Sequence, residues 1–144
     1  MQGLPHNYLT TASASATSNV AVSSAGLPTL DTTPPPEFGG PEGYWSPETL
    51  FVASVANCLI LTFRAIARAS KLDWQELTCD ANGTLDRVDG VTRFTRIDIS
   101  AKLTVPAGTD QAKADRLLHK AEQVCLITNS LACERHLETS ISEG

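Results

Sequence analysis

The chain has 144 residues and a mass of 15.3 kDa, enough for one core of ordinary size and too little for two. Apolar residues make up 42%, charged residues 19%, and the mean hydropathy is -0.07, the balance expected of a soluble globular domain. A net charge of -5 and a pI of about 5.1 argue against nucleic acid or an anionic membrane as the main partner. The charge is unevenly placed: all eleven Lys and Arg residues lie from Arg64 onward, so the first 63 residues contain none.

In chain order, residues 1–10 (MQGLPHNYLT) lack the basic and apolar regions of a signal peptide. No window reaches 18 consecutive apolar residues, so no membrane span is expected. Residues 7–14 and 19–24 read as short strands, low in charge and rich in Thr, Val and Ser. A connector follows over about 27–45, punctuated by Pro28, Pro34, Pro35, Pro36 and Pro41 and by Gly39, Gly40 and Gly43. Three adjacent prolines fix φ and remove donors, so this stretch is stiff and extended.

Ser46-Pro47-Glu48 announces a helix: Ser46 can cap orphan amides, Pro47 suits the first helical position, and Glu48 favours the positive helix end. From Leu50 to Phe63 the sequence LFVASVANCLILTF is apolar on nearly every side, which predicts a helix surrounded by protein. Charges resume at Arg64 and Arg68, so the helix runs from about 47 to 70, roughly 35 Å.

A hairpin is expected next. Ile97, Ile99, Ala101, Leu103 and Val105 alternate onto one face, and Leu77, Cys79, Ala81 and Leu85 share a parity in the preceding strand. A two-residue Asp89-Gly90 turn would pair odd positions with even ones and set Ala81 against Asp98. A three-residue loop, Val88-Asp89-Gly90, pairs odd with odd, setting Cys79 opposite Ile99 and Ala81 opposite Ile97, and is preferred. Thr109-Asp110 opens a second helix with Ala114, Leu117, Leu118, Ala121, Val124 and Cys125 at helical spacing, and residues 134–142 read as a closing strand. The order ββ-helix-ββ-helix-β describes a single α+β domain over 1–144.

The four cysteines contain no CxxC pair and do not form a disulfide framework, so reduced thiols in a cytoplasmic setting are expected. Taken alone, Cys58 and Cys125 each read as a small buried hydrophobe. Cys79 falls on the core face of its strand, and Cys133 is left open. No Cys and His pair has zinc spacing, and neither a metal nor another cofactor is expected. His6, His119 and His136 read as ordinary surface or core residues.

Two segments change this balance when read together. WSPETLFVASVANCLILTF (45–63) resembles the first cysteine motif of the OsmC/Ohr family, a Ser/Asn-Pro-Glu opening followed by an apolar helix with a Cys ten residues after the Glu. KAEQVCLITNSL (120–131) resembles its second cysteine motif. The resemblance covers about residues 7 to 142. It implies an antiparallel sheet with two main helices, the longer one central and buried in an intertwined homodimer. It also implies a thiol-dependent peroxidase that reduces organic hydroperoxides in oxidative-stress defence. Cys58 would be the peroxidatic thiolate, Cys125 its resolving partner, and Glu48 the carboxylate at the helix start. A dithiol such as a lipoylated protein would reduce the pair again.

Glu48 and Cys58 are ten residues apart, about 15 Å along a helix, so they cannot touch within one straight helix. An antiparallel second copy would bring its own Glu48 alongside. Peroxidase members of the family carry an Arg before the helix that faces the Cys, and this chain has no Arg or Lys before Arg64. A bare carboxylate near Cys58 would disfavour the thiolate. A non-catalytic OsmC-like homodimer that binds an apolar ligand or partner is therefore the alternative expectation.

Overall fold

A computed structural model describes residues 1–144. The chain divides into two compact units, Met1–Phe51 and Val52–Gly144.

The first unit carries a three-stranded antiparallel sheet in the order β1-β2-β3, formed by Thr11–Ser13, Val20–Ser23 and Leu30–Thr32. The third strand lies inside the stretch expected to be a connector, and the first strand is shorter than expected. Pro35 is extended at φ -69° and ψ 158°, as a proline run dictates, before a single 3-10 turn at Pro36–Phe38. Gly39 at φ 83° ends that turn in the left-handed region. Gly40 has no room for a side chain, because an added Cβ would lie 1.8 Å from the Pro34 carbonyl oxygen.

Helix α1 spans Pro47–Ala69, as its opening residues predict. Its cap is reciprocal. The Thr49 N–H donates to Ser46 Oγ at 3.1 Å, and the Ser46 N–H donates to Thr49 Oγ1 at 2.9 Å. Thr49 thus fills the place that Glu or Gln takes in a capping box.

In the second unit α1 continues, and Glu76–Val88 (β4), Val91–Val105 (β5) and Glu134–Glu143 (β6) form a sheet in that order. β4 and β5 are antiparallel, but β6 runs parallel to β5, so the sheet is mixed. A parallel neighbour needs a crossover, and helix α2 (Gln111–Val124) lies within it. The N-cap of α2 is Asp110, whose side chain accepts from the Lys113 N–H at 3.0 Å.

The hairpin register differs from expectation. Val88 pairs with Val91 across a two-residue turn, with Asp89 at φ 51° and Gly90 at φ 76°. That is the positive-φ turn whose twist suits a hairpin. An irregularity then shifts the register: Thr84 pairs with Arg96 and Leu85 with Phe94, leaving Thr95 extra. The bulge restores odd-with-odd pairing two places along, so Cys79 faces Ala101 and Ala81 faces Ile99. Turn chemistry set the loop and core parity set the sheet, and the bulge reconciles them.

The core of this unit joins three surfaces. α1 contributes Val55, Leu59, Phe63 and Ala67, one residue per turn. β5 contributes Ile97, Ile99, Ala101, Leu103 and Val105, and α2 contributes Ala114, Leu117, Leu118 and Ala121. Gly83 lets β4 approach α1, since a Cβ there would lie 2.7 Å from Val52 Cγ2. By length and composition α1 could cross a membrane, but its buried stripe is a core stripe. Within one chain that stripe is fully covered and Ile60 and Ile66 beside it partly so, whereas Leu61, on another side of the helix, remains 51% exposed. The full enclosure that an all-round apolar helix predicts is not supplied by a single copy.

Candidate active site

Cys58 and Cys125, 67 positions apart in sequence, are brought together. The two thiols are close enough for each to shift the other's ionisation, and both are free. Cys58 sits in the middle of α1, half-buried, with Thr62 Oγ1 one turn on at 3.7 Å. Cys125 is fully buried. It does not lie on the face of α2, as its spacing suggests, but immediately after it. At φ -61° and ψ 121° it is the extended residue that ends the helix. The chain then turns through a 3-10 segment at Thr128–Ser130.

The environments of the two sulfurs differ. Burial pushes the Cys58 thiol up, and its hydrogen bond to Cys125 adds to the rise, against weaker help from the Ile127 backbone and Thr62. Burial also pushes Cys125 up, but its hydrogen bonds to Cys58, to the backbone and hydroxyl of Thr128, and to the Ile127 backbone together bring it below the usual thiol value. Of the two residues Cys58 is the less buried.

The turn that supplies those donors is clamped by a residue absent from the sequence-based site. Arg135 on β6 places Nε 2.6 Å from Glu122 Oε1, an ion pair in which the carboxylate oxygen is sealed from solvent. The same guanidinium donates to the Thr128 carbonyl and, at 3.1 Å, to Asn129 Oδ1. Arg135 shares its parity with Leu137, Thr139 and Ile141, the inward face of β6. A charge on the inward side of a strand needs a partner, and that was the available signal.

Glu48 lies in the first turn of α1 and lines an apolar cavity of about 410 Å³ in the N-terminal unit. The cavity walls include Val20, Val22, Pro35, Phe38 and Leu50. Glu48 Oε1 is buried there without a hydrogen-bond partner, as is Thr33 Oγ1 on the same wall. Cys79, half-buried on β4, is pushed up to about 11 by burial and by Asp80, which marks it as an inert thiol. Cys133 packs at the core edge just before β6. The histidines are engaged elsewhere: His119 with Asp115 at 3.6 Å, His136 with Glu134 at 3.5 Å, and His6 with Tyr8 at 3.3 Å. No group of three or more His, Cys, Asp or Glu side chains is arranged to hold a metal ion.

An α+β chain whose core helix presents one accessible sulfur to a second, buried sulfur is a paired-thiol protein by construction. The sequence model of the OsmC-like proteins matches residues 39–140, and the chain belongs to the OsmC/Ohr family. It is 34% identical over 131 residues to an organic hydroperoxide resistance protein of Xanthomonas axonopodis pv. citri, covering 88% of this chain and 89% of the relative. Among solved structures it resembles an OsmC-like protein of unknown function from Vibrio cholerae, with a TM-score of 0.86 at 19% identity over 94% of this chain and 99% of the other. It also resembles an organic hydroperoxide resistance protein from Elizabethkingia anophelis, with a TM-score of 0.78 at 24% identity over the whole of both chains. These two likenesses carry the fold.

Proposed function

We propose that the protein is a cytoplasmic thiol-dependent peroxidase that reduces organic hydroperoxides in defence against oxidative stress. The observation that carries this reading is the contact between an accessible Cys58 and a buried Cys125, both free thiols. The organic hydroperoxide resistance relative supports the substrate class. The Cys58 sulfur attacks the terminal oxygen of the hydroperoxide, the O–O bond breaks, and the alcohol leaves. The resulting sulfenic acid condenses with Cys125 to a disulfide and water before further oxidation can occur. An external dithiol, such as a lipoyl group, then attacks the accessible Cys58 sulfur and returns both thiols.

The test is direct. Treat the reduced protein with cumene hydroperoxide, locate the product by peptide mass mapping, and follow peroxide loss with dihydrolipoamide. A Cys58–Cys125 disulfide and sustained turnover are expected. Absence of that disulfide, with turnover unchanged in Cys58→Ser, sinks the reading. A dimer lacking Cys58-dependent turnover would instead favour a non-catalytic apolar-ligand protein, a reading motivated by the Glu48 cavity and the Lys- and Arg-free first 63 residues.

The working form is an intertwined homodimer. Support comes from α1, apolar on nearly every side yet fully covered by its own chain along one stripe, with Leu61 left 51% exposed. Glu48 of a second copy is the carboxylate this arrangement brings to the thiol pair, because the chain's own Glu48 stands ten residues earlier on the helix. Sedimentation equilibrium at micromolar concentration is expected to give twice the 15.3 kDa chain mass. Leu61→Glu, placing a charge on the uncovered side of the helix, is expected to yield a folded monomer. A wild-type monomer at all concentrations overturns the dimer.

A further inference from the structure

We propose that Arg135 is a positioning residue: by gripping the chain on both sides of Cys125, it holds that residue where its sulfur can close onto Cys58. The consequence for peroxide turnover rests on the peroxidase reading above; the alignment of the two cysteines does not.

Helix α2 ends in a way that its own residues do not secure. Its last turn contains no basic residue, so the negative helix end has no cation from its own sequence. No Gly marks the exit, and the chain becomes extended at Cys125. The following turn takes up the orphan carbonyls. The hydroxyl of the fully buried Thr128 lies 3.1 Å from the Glu122 carbonyl and 3.0 Å from the Cys125 carbonyl. The Asn129 N–H donates to the Cys125 carbonyl at 3.0 Å, and the Ser130 hydroxyl to the Leu126 carbonyl at 2.8 Å. All these bonds are local, and a turn held by local bonds alone can open as a unit.

Arg135 ties the turn to the sheet. Its Nε lies 2.6 Å from Glu122 Oε1, ahead of Cys125, while Nη1 donates to the Thr128 carbonyl and Nη2 to Asn129 Oδ1, both beyond it. One planar group thus spans the segment that carries the cysteine. The two charged side chains are only 29% and 15% exposed, so breaking the arrangement strands a charge in a mostly dry place. A lysine ammonium keeps the charge but cannot reproduce the rigid fork. The Arg135 backbone is itself fixed in register opposite Ile97 of β5, a strand that shares its core with α1. The turn is therefore registered against the layer that carries Cys58. Every group named lies in Val52–Gly144, so the arrangement needs no second copy.

Registration matters because a disulfide is demanding: its sulfurs must meet at about 2.05 Å with a restricted dihedral angle. Cys125 is fully buried, so its reach is set by where the turn holds its backbone. In turnover the Cys58 sulfenic acid has two fates. Attack by the Cys125 thiol forms the S–S bond and breaks the S–O bond, and the thiol proton leaves with the sulfenic hydroxyl as water. A second hydroperoxide instead forms a second S–O bond, its O–O bond breaks, and the alcohol leaves behind a sulfinic acid. Arg135 favours the first fate by keeping Cys125 in line.

The decisive experiment needs no peroxide. The full-length reduced protein is mixed with oxidised glutathione, quenched at intervals with iodoacetamide, and mapped by peptide mass. Cys58 first captures glutathione; Cys125 then attacks the Cys58 sulfur, the S–S bond between them forms, and glutathione leaves as its thiol. In Arg135→Gln the closure step is expected to slow by about tenfold, so that glutathionylated Cys58 accumulates, with Arg135→Lys in between. Capture is expected to change much less than closure, a split that general loosening of the fold does not produce. If Arg135→Gln does not fold, Asn129→Ala removes one acceptor of the fork from an exposed side chain and should slow closure by a smaller factor. With excess cumene hydroperoxide, the same variants should gain Cys58 sulfinic acid. Closure at the wild-type rate in these variants, or capture and closure slowed alike, overturns the proposal. Slowed closure in the variants, with no oxidation of wild-type Cys58 by hydroperoxide, would refute the peroxidase reading alone.

Discussion

Phe63→Ala is expected to cost about 3–5 kcal/mol of stability, the largest loss from a single truncation in this core. Phe63 is the largest fully buried side chain. It stands at the third position of the α1 stripe, after Val55 and Leu59, and meets Trp74 edge-on with ring centroids 5.5 Å apart and planes at 69°. Truncation removes both the transfer energy of the ring and the edge-to-face contact, and it leaves a cavity walled by a helix and a sheet that cannot readily close. With a urea slope of about 2 kcal/mol/M, the midpoint should fall by roughly 1.5–2.5 M. Trp74 reports the change directly by fluorescence. Because the proposed working form is a dimer, wild type and variant must be compared at one protein concentration. A loss under about 1 kcal/mol would show that the stripe is not packed as described.

The same helix shows which features could be read from sequence. Ser46-Pro47-Glu48 located its start because capping is local chemistry; the Thr49 reply to Ser46 is a variant of the usual box but lies within three residues. Strand β3 escaped notice because Leu30-Asp31-Thr32 has too few residues to show alternation and is flanked by prolines. The bulge at Thr95 is invisible to a parity argument that assumes one register throughout. Spacing puts Cys125 on α2, yet the chain leaves the helix there without Gly or Pro. Its dihedrals are ordinary extended ones that any residue adopts, so nothing local marked the exit. Cys58 and Cys125 were paired only through the two motifs, since spacing within one element cannot bring together residues 67 positions apart. Arg135 was missed for a related reason, because its partners Glu122 and Thr128 belong to other elements.

Cys125→Ser is expected to separate the first chemical step from the second. In the wild type one equivalent of cumene hydroperoxide should convert the reduced pair to the disulfide, a loss of about 2 Da. Without Cys125 the first product has no neighbouring sulfur to condense with, and it should persist as a Cys58 sulfenic acid, a gain of about 16 Da that dimedone captures. Excess peroxide should then carry Cys58 on to the sulfinic acid, about 32 Da heavier, and dithiol-driven turnover should decay over successive cycles. Cys58→Ser should behave differently, with no oxygen added at that position and turnover lower by at least about a hundredfold. A Cys125→Ser protein that still forms an intramolecular disulfide from Cys58 would mean that Cys79 or Cys133 resolves it instead. The structure argues against Cys79 on chemistry, since burial and Asp80 hold that thiol up at about 11, with almost no thiolate available at neutral pH.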